Sequence, residues 1–215
     1  MTSIDPVTLL VILGLLTLLP TIVMVTTAFL KISVVIMLLR NALGVQQIPP
    51  NVALYGLSLI LTAYVMAPIG HRIYETTLKS PVNTRNVEGV ITAVRKGVEP
   101  MRAFLEKNSR QEQRDFFVRA AKKMWGPELS AGIAPTDFMV LMPSFLVSEL
   151  TAAFQIGFLI YLPFLVIDLI VSNILLALGM MMVSPVTITL PLKLFLFVAV
   201  DGWTRLIHGL VLTYA

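Results

Sequence analysis

Apolar positions run almost unbroken through both ends of this chain and give way, in the middle, to a polar stretch patterned at helical spacing. From Pro6 to Leu39 the only charge is Lys31, and from Val52 to Ile69 there is none. Apolar runs of about 18 residues or more are long enough for membrane-type helices. The first run exceeds one straight crossing of a hydrocarbon layer about 30 Å thick, so Pro20 is expected to bend it. Its helix should end between Arg40 and Gly44, with Gly44 as the stop, Pro49 and Pro50 stiffening the link, and Asn51 capping the next helix. That next helix spaces Ala63 and Ala67 for close packing and turns polar at His71, Arg72 and Glu75 on its way to Leu78.

Between Pro81 and Pro135 the pattern is that of short amphipathic helices. Val87, Ile91 and Val94 share one helical face. Met101, Phe104 and Leu105 follow Pro100, a favourable first-turn residue. Ser109 and Glu112 stand as a capping box ahead of Phe116 and Phe117, and Trp125, Gly126 and Pro127 close that helix. Beyond it the apolar text resumes. One helix is expected from Asp137 to about Tyr161, a second through Pro163 to Met182, and a last one from Leu190 to Leu212. The fold class is therefore all-α: an N-terminal apolar hairpin (1–70), a soluble helical domain (71–137) and a C-terminal apolar hairpin (138–215).

Composition sharpens this picture. Of 215 residues 57% are hydrophobic and the mean hydropathy is +0.87, well above the soluble norm of roughly 45–50% apolar residues. Twelve of the 16 Lys and Arg and seven of the 12 Asp and Glu lie between His71 and Glu128. That segment's excess of +5 is mixed in sign, which describes a solvated helical surface and not a nucleic-acid patch. The chain has no cysteine, which removes disulfides and thiolate metal sites, and with two histidines neither a metal nor a cofactor is expected. The N-terminal run lacks a basic region and a small-residue cleavage site, and reads as a retained span.

Candidate chemistry lies where charge interrupts the apolar text. An ionisable side chain at bilayer depth costs roughly 2.5–3.5 kcal/mol, so Glu149, Asp168, Lys193 and Asp201 must pair or line a polar passage. Lys31, with Thr27 and Ser33, gives the first helix a polar face; a lysine snorkelling from a helix end is the plainer reading. On a continuous last helix Asp201 and Arg205 are four apart and able to pair, and Lys193, Asp201, Arg205 and His208 fall on one third of the circumference. Met180, Met181 and Met182 stand at a turn, after Gly179 and before Pro185. Three adjacent thioethers make a soft surface suited to a contact that closes and reopens; filling of irregular core gaps is the alternative.

Four segments, LLRNALGVQQIPPN (38–51), FLVSELTAAFQIGF (145–158), YLPFLVIDL (161–169) and LALGMMMVSPVTITLPLKLFLFVAVDGW (176–203), together resemble the FliP/SctR family, the R component of the type III secretion export apparatus. Flagellar members carry a cleaved signal, so the retained N-terminal span points to the injectisome branch. The resemblance implies a non-enzymatic, multi-pass protein of the bacterial inner membrane, assembled on the periplasmic side in about five copies. S-type and T-type subunits would join it, with U-type and V-type subunits nearby, and unfolded polypeptides would pass through. By the same resemblance Met180–Met182 form a pore gasket and Glu149 and Lys193 pair between adjacent copies; an intrasubunit pair is the alternative. The basic segment 71–137 would be periplasmic, against the positive-inside rule, which governs loops shorter than roughly 60 residues.

Two other functions use similar residues. A secondary transporter also needs intramembrane carboxylates and proline-broken helices, but no inverted repeat relates the two halves. An intramembrane aspartyl protease needs two facing aspartates, for which Asp168 and Asp201 are the formal candidates; VAVDGW shows no glycine ahead of the acid to open backbone access.

Overall fold

The computed structural model describes residues 6–45, 47–79 and 87–215, and its described residues are helical with no strand. Helices α1 (Pro6–Thr26) and α2 (Phe29–Leu43) come from the first apolar run. The run bends by 47° between Leu9–Leu18 and Pro20–Thr26, as the proline predicts. It breaks a second time at Thr27 and Ala28, which the sequence did not announce. There the Thr27 hydroxyl donates to the Val23 carbonyl at 2.6 Å and accepts the Phe29 N–H at 3.3 Å, replacing ladder bonds lost at the break. At the far end Gly44 takes a left-handed φ of 79° and its N–H reaches the Asn41 carbonyl, which ends α2 where expected.

Helix α3 (Asn51–Lys79) follows a cis Ile48–Pro49 bond. Asn51 does not cap it. Its Oδ1 accepts a 2.6 Å bond from Arg40 Nη1, and the first helical amides, those of Ala53 and Leu54, are taken by the Pro50 carbonyl. Helix α4 (Val87–Asn108) is continuous through Pro100, where the sequence suggested a new start. A mid-helix proline costs about 3 kcal/mol, and packing of α4 against α1 offsets it. The Val87 and Val94 side chains, the Leu78 side chain and Pro81 lie outside the described residues.

Helix α5 (Gln111–Met124) starts with Arg110 in the N-cap position and no side-chain cap. This places Ser109 before the cap and Glu112 at the second helical residue, one step out of register for the expected box. Ser109 Oγ instead donates to the Glu106 carbonyl and accepts from Arg114 Nη1, both at 3.2 Å. Trp125 closes α5 through its N–H to the Ala121 carbonyl. Gly126, at φ 75°, opens the short α6 (Gly126–Ser130).

The C-terminal text forms α7 (Phe138–Ala177), α8 (Val186–Ala199) and α9 (Gly202–Leu212). Two corrections follow. Pro163 does not divide α7, which runs 40 residues and about 60 Å, twice the thickness of a hydrocarbon layer. The final helix is divided instead, α8 and α9 meeting at 62°. Helices α3 and α7 are each long and apolar enough to cross a membrane, and up to four spans arise if each bent pair counts as one.

Two compact units are present. Unit 1 comprises the chain up to Leu30 with Ala63–Glu149. Its core contains Phe104, Leu105, Val140, Leu141 and Phe145, with the Phe104 and Phe145 rings 5.7 Å apart. Arg110 N–H donates to Ser148 Oγ at 2.9 Å, fixing the start of α5 to α7. Unit 2 comprises Lys31–Thr62 and Leu150–Ala215. Leu39, Ala42, Leu43, Phe164 and Phe197 form its centre. Gly157 lets α7 approach α2 closely: a Cβ there would lie 2.3 Å from Leu38 Cδ1.

Candidate functional site

The C-terminal hairpin of unit 2 carries the methionines. Helix α7 finishes in a Schellman motif, with Gly179 N–H donating to the Leu176 carbonyl and Met180 N–H to the Leu175 carbonyl at 2.9 Å. Gly179, at φ 72°, makes the reversal possible. The chain then holds itself by short bonds: Met181 N–H to the Gly179 carbonyl, and Val183 N–H to the Met180 carbonyl. Pro185 begins α8, its carbonyl accepting from Ile188 and Thr189. On this ordered turn Met180, Met181 and Met182 are 42%, 82% and 101% exposed. Within unit 2 Met181 and Met182 fill no gap, whereas Met180 is more than half covered.

Behind the turn is an ion pair. Lys193 Nζ on α8 lies 2.6 Å from Asp168 Oδ2 on α7 and 3.3 Å from the carbonyl of Ala42 in the last turn of α2. The ammonium side chain is 8% exposed and the carboxylate side chain 41%. A cation at the C-terminal end of a helix also meets the negative end of its dipole. Lys193 thus ties three helices at one point, nine residues before the end of α7. Beside it a cavity of about 470 Å3 is lined by Gly44, Tyr161, Asp168, Ser172, Thr189 and Lys193, among others.

The remaining candidates are dispersed. Glu149 is buried on α7 at 2% exposure and belongs to unit 1, whereas Lys193 belongs to unit 2. Lys31 is buried under the ring of Tyr214, its Nζ 3.7 Å from the ring centroid. Asp201 sits in the break between α8 and α9 at φ 54°, and its Oδ1 accepts from Thr204 Oγ1 at 3.0 Å. With the helix interrupted there, the polar stripe expected on a continuous helix does not form, and Asp201 and Arg205 make no ion pair among the described residues. Asp168 bonds Lys193 and Asp201 bonds Thr204, and no hydrogen bond joins the two aspartates among the described residues. Among the described residues no group of three His, Cys, Asp or Glu is placed to hold a metal.

Comparison with known proteins turns this geometry into an assignment. The FliP family profile matches residues 12–210, nearly the whole chain and every candidate residue above. The chain belongs to the FliP family. Within that family it is 53% identical to Yop proteins translocation protein R of Yersinia pestis, over 98% of this chain and 97% of that protein. It is 46% identical to Harpin secretion protein HrcR of Erwinia amylovora over the same shares. It is also 45% identical to Virulence protein YscR of Salmonella typhimurium, over 98% of each chain. These relatives agree with the injectisome branch of the FliP family that the sequence resembles.

Sequence reasoning about this FliP-family chain missed the Asp168–Lys193 pair. Both residues were candidates, but they are 25 positions apart on helices joined by a turn. The available signal was the hairpin itself: two apolar arms joined by a turn, with Asp168 and Lys193 at similar distances on either side of it.

Proposed function

We propose that this chain is the main wall subunit of a type III secretion export gate, assembling in about five copies around the channel that admits unfolded substrate proteins. S-type and T-type subunits complete the assembly, with U-type and V-type subunits close by, at the periplasmic side of the inner membrane. The names of the Yersinia, Erwinia and Salmonella relatives, which speak of translocation, harpin secretion and virulence, support a place in a secretion apparatus. One observation carries the pore reading: Met181 and Met182 stand almost fully exposed, with Met180 partly exposed beside them, on a turn whose backbone is fixed by a Schellman cap.

Arranged around an axis, those thioethers make a compressible ring. Each side chain has three rotatable bonds and a polarisable sulfur, so the ring adapts to many passing side chains and binds none strongly. An apolar constriction also resists wetting, which keeps a polypeptide channel closed to ions when empty. Lys193 serves as the joint between copies. Of its three donors, one is used by Asp168 and one by the Ala42 carbonyl; the third is available to Glu149 of the neighbouring copy.

The test is electrical. Replacing Met180, Met181 and Met182 together by alanine is expected to raise ion leakage through the assembled complex severalfold, measured as single-channel conductance in planar bilayers. Unchanged conductance in a complex of unchanged mass removes the gasket. A mass of the purified assembly equal to one copy removes the wall.

A further inference from the structure

Unit 2 holds a second cavity, of about 450 Å3, on the side of α9. Leu39, Ile156, Phe164, Phe197 and Leu206 line it, so its interior is almost wholly apolar, yet Arg205 stands in its wall. Arg205 is exposed, and its guanidinium has no hydrogen-bond or ion-pair partner among the described residues. The nearest acid in sequence, Asp201, gives its backbone carbonyl to the Arg205 N–H, while its carboxylate accepts the Thr204 hydroxyl.

An arginine on an apolar helix needs an anion, and a guanidinium presents a fork that matches phosphate in two parallel hydrogen bonds. A cation in the wall of an otherwise apolar groove therefore matches both ends of one amphipathic molecule. We infer that this groove binds an anionic phospholipid, its acyl chain between α7 and α9 and its phosphate on Arg205. This goes beyond the channel reading and requires only that the chain resides in a membrane.

Two glycines make the site testable. Gly202 leaves no room, because an added Cβ would meet the Phe197 ring at 2.2 Å. Gly209 also lines the groove, and an added Cβ there meets nothing within 4 Å. Gly209→Leu therefore fills the groove without displacing the chain that forms it.

The full chain, purified in mild detergent and exchanged into nanodiscs of equal phosphatidylglycerol and phosphatidylcholine, is examined by native mass spectrometry. Phosphatidylglycerol is expected to be retained in preference. Arg205→Gln is expected to lower that retention about tenfold, the loss of one charged contact, while Arg205→Lys keeps part of it. Gly209→Leu is expected to abolish it, with circular dichroism and elution profile unchanged. Equal retention of the two lipids, or retention untouched by Arg205→Gln, overturns the assignment. So does displacement of the adduct by inorganic phosphate alone, which marks a free-anion site. A cysteine placed at 209 that crosslinks to a second copy while no lipid is retained shows the groove to be a protein interface and equally overturns it. Conductance and assembly mass do not enter this test, so its failure leaves the channel reading standing.

Discussion

Lys193 directs two of its three ammonium protons inward, to Asp168 and to the carbonyl of Ala42, and this makes its loss different from the loss of a surface charge. Removing one member of a buried pair leaves the other without compensation, whereas replacing both by apolar groups of similar size is often neutral. Because the carboxylate side chain is 41% exposed, solvent reduces the cost. Asp168→Asn is expected to destabilise the chain by roughly 1–3 kcal/mol. Asp168→Leu with Lys193→Met should recover most of it, read as the thermal midpoint in detergent. A second residue-scale expectation concerns the break between α8 and α9. Asp201 holds a left-handed φ of 54°, a conformation that costs a side-chain-bearing residue roughly 1–2 kcal/mol. Asp201→Gly should be neutral or stabilising in thermal unfolding, and Gly202→Ala should destabilise by about 1–3 kcal/mol through the clash with Phe197. These contacts explain why the sequence did not disclose the break: Val200, Asp201 and Gly202 allow a helix to pass, and Phe197 folding back over Gly202, with Trp203 against its ring at 5.5 Å, decides otherwise.

At the scale of elements, helix existence followed from apolar runs and helix ends from local chemistry, and the two were not equally legible. Gly44 and Gly179 ended α2 and α7, because a left-handed glycine is a local requirement. Pro163 and Pro100 did not end α7 and α4, so a proline within an otherwise helical pattern was no guide to a helix end here. The Ser109–Glu112 pattern failed for a smaller reason, since a cap displaced by one residue leaves the same letters in the wrong register. Packing of α7 on α2 depends on Gly157, whose hydrogen occupies the space a Cβ would take from Leu38. Gly157→Ala is expected to separate these helices slightly and lower stability by about 1–3 kcal/mol, with the largest rise in hydrogen exchange in α2.

For the whole molecule, the apolar arms and the polar middle were readable from composition. The two compact units were not, because each gathers segments far apart in the chain: Lys31–Thr62 joins Leu150–Ala215. The proposed joint between copies is tested at this scale. Glu149→Lys and Lys193→Glu singly are expected to reduce assembly at least tenfold in a native gel, and the double exchange, made together with Asp168→Asn so that no carboxylate opposes the introduced one, to restore part of it. Recovery of folding in the single chain without recovery of the complex would place the partnership inside one copy.

The exposure of Met180–Met182 carries one more consequence, which concerns oxidants. A thioether open to solvent is converted by peroxide to a sulfoxide, which is polar and chiral where the methionine was apolar and pliant. Three such groups on one turn would make the proposed apolar ring a hydrated one. Bacteria meeting an oxidative burst would then depend on methionine sulfoxide reductases to keep that ring repaired, and peroxide-treated protein should carry its added oxygen first on the turn that follows Gly179.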